Sequence, residues 1–173
     1  MAPRLRILIA YYSYALRVEA LAELIRVRLS GSHDVMAARI RPVRERSYWN
    51  WLARSFAPGA TVDIEPLTLN LRDFDRVCLG FPKWTFSCPP VNRFLRLIPA
   101  ASHVDFGLFM SYGGFDEDRF LGAMSRKVAA RGRVVARLAV KRGLTGSSAC
   151  ASAVTAFCDA VIAAPNPPFE MKL

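Results

Sequence analysis

Five apolar runs rich in β-branched and aromatic residues punctuate the chain: Arg4 to Tyr12, Asp34 to Ile40, Asp75 to Gly80, Val104 to Met110 and Val134 to Val140. Each gives way to a segment whose apolar residues recur at helical spacing. Val18, Leu21, Ala22, Ile25 and Leu29 make the first such face, ending near Ser30-Gly31. Tyr48 to Phe56 is short and aromatic, and Ala57-Pro58-Gly59 breaks it. Pro90 to Ile98 opens on prolines, which the first helical turn tolerates. Phe120, Leu121, Met124 and Val128 form a face stopped at Gly132, and Val154, Phe157, Cys158 and Val161 form the last. Strands that read as continuous apolar runs, rather than alternating ones, are buried on both faces. Alternation with helices therefore predicts an α/β fold: a five-stranded parallel sheet with helices on both faces and right-handed crossovers.

The 173 residues, 53% of them hydrophobic, suit one domain spanning 1–173 with a substantial core. Residues 42–72 form the one long irregular connection, a kind of segment that often carries function, and 164–173 is a Pro-rich tail. Arg4 and Arg6 followed by Ile7 to Tyr12 superficially resemble a short signal peptide. Removing them would delete the first β unit, so they are read as a strand and the protein as cytoplasmic. No apolar run reaches the ~18 residues of a membrane span. Cys78, Cys88, Cys150 and Cys158 contain no C-x-x-C pair, and His33 and His103 fall at turns without ligand partners at usable spacing. Neither a metal site nor a disulfide framework is expected. No Ser-His-Asp or Cys-His constellation appears, and nothing nearby activates Cys88.

Charge is the second unusual feature. Twenty-four basic residues against fourteen acidic give a net charge of +10. Arg39, Arg41, Arg44 and Arg46 are the densest cluster, and Arg126, Lys127, Arg131, Arg133, Lys141 and Arg142 follow later. Such a balance attracts acidic proteins, anionic membrane surfaces or nucleic acid, unless it is simply a solvated surface. No stacking platform or nucleic-acid module accompanies it, which disfavours nucleic acid.

Three loops follow predicted strands, at the carboxyl edge where open α/β sheets bind ligands. Gly80-Phe81-Pro82-Lys83-Trp84, then Pro89-Pro90-Val91 and Phe94-Leu95, reads as a strand stop, an aromatic loop and a Pro-opened helix. Tyr11-Tyr12-Ser13-Tyr14-Ala15-Leu16-Arg17-Val18 joins the first strand to its helix. Phe109-Met110-Ser111-Tyr112-Gly113-Gly114 follows strand four, where Asp116 is expected to cap the next helix.

On these loops the chain, from about Arg4 to Val161, resembles the flavodoxin-like family. The resemblance implies a three-layer, doubly wound sheet of order 2-1-3-4-5 and an FMN cofactor. It implies phosphate contacts from Ser13, Tyr14, Ala15, Leu16, Arg17 and Val18, through amides at a helix N-terminus and hydroxyls. Ring contacts would come from Pro82, Lys83, Trp84, Thr85 and Phe86 and from Ser111, Tyr112, Gly113 and Gly114. The first loop departs from the family's S-x-T/S-G-x-T: Ala15, Leu16 and Val18 replace a hydroxyl, a glycine and a hydroxyl. Leu16 is a poor substitute where positive φ is required. Arg17 is either a bidentate phosphate ligand or a solvent-facing helix residue. Trp84 and Phe86 are either ring contacts or caps on the core.

The function implied is electron transfer to a redox partner protein, or small NAD(P)H-dependent reduction of an acceptor such as a quinone. A basic surface would favour the anionic reduced flavin and raise its potential. The alternative is a flavodoxin-fold module without FMN that serves protein interaction or regulation, with Arg44, Arg46, Trp49, Trp51 and Arg54 as its interface.

Overall fold

The computed structural model describes residues 4–99 and 104–165; His103 and the tail beyond Pro165 lie outside them. The elements alternate as β1 (Arg6–Tyr11), α1 (Arg17–Ser30), β2 (Asp34–Arg39), α2 (Tyr48–Ser55), β3 (Arg76–Pro82), α3 (Pro89–Leu97), β4 (Asp105–Tyr112), α4 (Glu117–Ala129), β5 (Arg133–Lys141) and α5 (Ser148–Ala163). The boundaries fall within a few residues of those read from the periodicity. All strand pairs are parallel, and the order is β2-β1-β3-β4-β5, as the resemblance implies. No helix among the described residues is long and apolar enough to cross a membrane.

Two cores fill the two faces. Val18, Leu21, Ile25 and Leu29 of α1 and Val154, Phe157, Cys158 and Val161 of α5 pack on one side, against Ile7, Ile9, Cys78 and Phe109. On the other, Trp51 of α2, Phe94 of α3 and Phe120 and Met124 of α4 pack against Leu8, Leu79, Phe81 and Leu108. The central strands bury both sets of side chains, which is why they read as unbroken apolar runs. Close approach sets two residue types. A Cβ on Gly80 would lie 2.2 Å from the Phe109 ring, and one on Gly107 would lie 2.7 Å from Phe157 and Val161. The long connection is held by an antiparallel bridge, Pro42 to Ile64, with Glu65 N–H donating to the Arg41 carbonyl at 2.8 Å.

A charge cluster closes the amino-terminal edge of the sheet. Asp105 and Arg76 are each 1% exposed and lie 3.3 Å apart, and Arg133 donates to both Asp105 oxygens at 2.9 and 2.8 Å. Arg76 also donates to the Val161 and Ala164 carbonyls at 3.1 and 2.6 Å, capping the end of α5. His33, read as a turn residue, is buried there too, its Nδ1 accepting from Leu5 N–H.

Replacing Asp105 by Asn removes the buried carboxylate that Arg76 and Arg133 share. The expected cost is about 3–5 kcal/mol, read as a drop in the urea midpoint. All four cysteines are buried thiols, and burial pushes Cys88 up to about 12 and Cys158 to about 11, with Cys78 and Cys150 moved the same way. An unfolded thiol ionises near ~8.5. Raised folded values mean that this stability is complete below that pH and is lost as pH rises towards about 11 to 12. Under reducing conditions the urea midpoint should fall between pH 8 and 10.5, and less steeply in Cys88→Ala.

Candidate functional site

The carboxyl ends of β1 and β3 are adjacent, and the chain leaves them towards opposite edges of the sheet. That switch point opens a crevice above the strands. A cavity of about 130 Å³ lies there, lined by Ser13, Tyr14, Ala15, Arg17 and Val18, by Pro82, Lys83 and Trp84, by Ser111, and by Tyr48 and Arg142.

The β1–α1 loop is tied at both ends. Ser13 is buried, and its Oγ accepts from Glu19 N–H at 3.3 Å. Arg39 donates to the Ser13 carbonyl at 3.2 Å and pairs with Glu19 at 2.9 Å. Among the described residues, the N–H groups of Tyr14, Ala15, Leu16, Arg17 and Val18 donate to no protein acceptor. Leu16 sits at the N-cap of α1 with φ 59° and ψ −5°, the left-handed conformation the sequence made it ill suited to. Its carbonyl accepts from Ala20 N–H at 2.9 Å, which starts the helix. Leu16 is 61% exposed and does not line the cavity; it borders a separate surface hollow that Tyr11 and Ala37 also line. The backbone shape of an anion-binding turn is therefore present without glycine, at a conformational cost of roughly 1–2 kcal/mol.

The ring-side loop carries an aromatic cluster. Trp84 is 7% exposed, with Tyr14 at 5.6 Å and Tyr48 at 5.3 Å between ring centroids. Its buried indole N–H has no hydrogen-bond partner. Tyr14 and Tyr48 themselves are 37% and 39% exposed. Thr85 and Phe86 turn to α2 instead: their N–H groups donate to Ser55 Oγ and the Ser55 carbonyl, and the Phe86 ring packs on Phe56 and under Arg119. Lys83 lies over the exposed Phe115 ring at 5.9 Å.

Of the third loop, Ser111 lines the cavity, whereas Tyr112, Gly113 and Gly114 do not. Tyr112 is half-buried against the α3–α4 core, and its phenol is pushed up by burial and then by Glu117. Gly113 lies beneath the Arg142 side chain. Asp116 occupies the N-cap of α4 but makes no capping bond. At φ 65° its carboxylate is turned to Arg119, 3.6 Å away, so the expected cap is absent.

Tyr48 and Arg142 were not anticipated. Tyr48 opens α2 in the long connection, and Arg142 directly follows β5, so both reach the cavity only through the fold. Arg17, Lys83 and Arg142 make three cations at the cavity. No carboxylate lines it, and none of the three is in an ion pair among the described residues.

Comparison with solved structures fits this geometry. A flavoprotein in complex with FMN from Lactobacillus acidophilus superposes with TM-score 0.67 at 15% identity, covering 78% of this chain and 93% of that one. Oxidised flavodoxin 2 from Bacillus cereus gives 0.62 at 16%, covering 90% and 97%. The chain has the flavodoxin-like fold. Rubredoxin oxygen:oxidoreductase from Desulfovibrio gigas shares the fold at TM-score 0.61 and 14% identity, over 91% of this chain and 35% of that one. No family model matches. An uncharacterized protein of Archaeoglobus fulgidus is 36% identical over 91 residues, half of this chain and 57% of that protein's length.

Leu16→Gly should relieve the left-handed strain and raise stability by up to about 1 kcal/mol, net of the entropy glycine adds to the unfolded chain. A rise in melting temperature checks it, and a fall would mean the leucine side chain stabilises the loop more than its backbone strains it.

Proposed function

We propose that this chain binds FMN at the β1/β3 switch point and serves in electron transfer or as a small NAD(P)H-dependent reductase. The observation carrying this reading is the Tyr14–Val18 turn. Its free amides and Arg17 adjoin an aromatic crevice at the one place where the sheet topology opens. When bound, FMN supplies the capacity to take up electrons from a reductant and release them to an acceptor.

The donor set suits a phosphate dianion. Amides at the N-terminus of α1 point partial positive charge at it, and Arg17 adds a guanidinium in place of the missing hydroxyls. The ring end suits a flat aromatic group on one condition. A cavity of about 130 Å³ is small beside the ~300 Å³ at the lower end of small-molecule pockets. Tyr14 and Tyr48 must therefore part from Trp84, which gives up about 0.5–1.5 kcal/mol per aromatic pair. Charge-assisted hydrogen bonds to the phosphate, about 1.5–3 kcal/mol each, outweigh that loss. Once parted, Trp84 and the two tyrosines exclude water and hold the ring plane, with Pro82 and Ser111 alongside.

The closed cluster also favours a second reading: a flavodoxin-fold module without cofactor that offers the 74% exposed Trp49 and nearby arginines to a partner protein. A cytoplasmic setting accords with either, since all four thiols are unpaired.

An FMN titration separates the two. The first predicts quenched tryptophan fluorescence, a raised melting temperature and an affinity that falls roughly tenfold or more in Arg17→Ala. A colourless protein whose fluorescence and melting temperature ignore added FMN would leave only the second. An unchanged affinity in Arg17→Ala would remove the arginine from the phosphate site.

A further inference from the structure

Beyond the phosphate turn, two of the three cavity cations need a role. Lys83 follows β3 and Arg142 follows β5, so they stand one strand to either side of β4. The ladder continues past the strands through their backbones: Lys83 N–H donates to the Ser111 carbonyl at 2.9 Å, and Arg142 N–H to the Tyr112 carbonyl at 2.7 Å. Both residues line the cavity beside Trp84, Pro82 and Ser111. Arg142 gets there by lying across Gly113, where a Cβ would meet its Cδ and Nε at 2.5 Å and its Cζ at 2.8 Å. Neither cation has a carboxylate partner among the described residues; Lys83 has only the Phe115 ring. The Tyr14–Val18 amides and Arg17 already supply what one phosphate needs. Lys83 is half-buried and Arg142 exposed, so both charges remain open to an anion arriving from solvent.

We propose that Lys83 and Arg142 form a second anion subsite beside the ring seat, and that the small molecule meeting the cofactor there carries a fixed oxyanion. The assignment rests on the FMN reading for its purpose, though not for its geometry. A planar acceptor bearing a sulfonate, carboxylate or phosphate is the class that fits: its aromatic body would stack on the ring seated in the Trp84 crevice, with the oxyanion drawn to the ammonium and the guanidinium. Phosphorylated reductants share that chemistry and bind by the same two groups.

The probes are 9,10-anthraquinone-2-sulfonate and its neutral analogue 2-(hydroxymethyl)anthraquinone, measured by equilibrium dialysis against FMN-loaded protein. The sulfonate should bind roughly tenfold or more tightly than the neutral quinone, with a preference that shrinks in high salt. Lys83→Gln and Arg142→Gln should each remove most of the preference, and Arg142→Lys should retain part of it. Gly113→Ala is a charge-neutral check. Its Cβ displaces the Arg142 side chain, and the backbone there needs no positive φ. The preference should drop although net charge is unchanged. FMN affinity is measured alongside, and any loss in these four variants should be smaller than in Arg17→Ala, since none touches the phosphate turn.

Equal binding of the two quinones overturns the subsite. So does a loss of FMN affinity in Lys83→Gln and Arg142→Gln as large as in Arg17→Ala, which would give these cations to the cofactor. Failure of the wild-type protein to take up FMN defeats the cofactor reading alone. The same dialysis on the cofactor-free protein then decides the subsite: a preference that needs Lys83 and Arg142 upholds it, and no preference ends it.

Discussion

Asp105, 1% exposed, faces two arginines at the amino-terminal edge of the sheet, and the alignment of three strands depends on it. Arg76 begins β3, Asp105 begins β4 and Arg133 begins β5. A one-residue slip of any of them would turn its charge to the opposite face. The buried carboxylate that Arg76 and Arg133 share would then be lost to them, a penalty added to the loss of apolar packing. The same arginine holds the last carbonyls of α5, so the register of the sheet and the seating of the last helix are one constraint. Six to eight residues further on, that register brings Pro82 opposite Ser111 and Tyr112 opposite Lys141. The loops that build the cavity inherit their alignment from charges at the other end of the strands.

The cavity divides into parts that are fixed and parts that can move. Ser13 and Ser111 are buried at strand ends, and the backbone of Lys83 and Arg142 extends the β-ladder. Tyr14 and Tyr48, by contrast, are about two-fifths exposed and hold Trp84 mainly through ring contacts. A ligand therefore meets a rigid polar floor beneath a yielding aromatic cover. Trp84 lies beneath that cover. Its buried N–H lacks a partner while the cover is closed, a cost of about 1–3 kcal/mol that any acceptor reaching it would recover.

Much of this was legible in the sequence for a simple reason. Strands buried on both faces write themselves as apolar runs, and Gly80-Phe81-Pro82 marks where β3 stops. The turn at Leu16 was not legible, because a leucine at positive φ contradicts the preference by which such turns are recognised; only the ties from Ser13, Glu19 and Arg39 hold it there. Phe86 follows Trp84 by two residues, yet Ser55 draws its backbone towards α2, a contact thirty-one residues away that no local pattern encodes. Arg142 and Tyr48 escaped notice for the same cause. A cation after β5 and a tyrosine opening a helix in a long connection are ordinary in sequence. They become neighbours only when β5 lies beside β4 and α2 folds over the switch point.

The substitutions in the first loop change the kind of recognition available more than its amount. Leu16 is left-handed, the backbone shape an anion cradle would use, while positions 15 and 18 carry alanine and valine and offer no hydroxyl. What surrounds the cavity in their place is Arg17, Lys83 and Arg142. Hydroxyls and amides hold an oxyanion by direction at short range, and salt disturbs them little. Exposed guanidinium and ammonium groups act through charge that the ~8 Å Debye length of physiological salt attenuates, and they accept oxyanions of several geometries. A site built this way would select by net charge first and by shape second. If flat, anionic ligands bind as proposed, selectivity among them would fall to the aromatic cover of Tyr14, Tyr48 and Trp84.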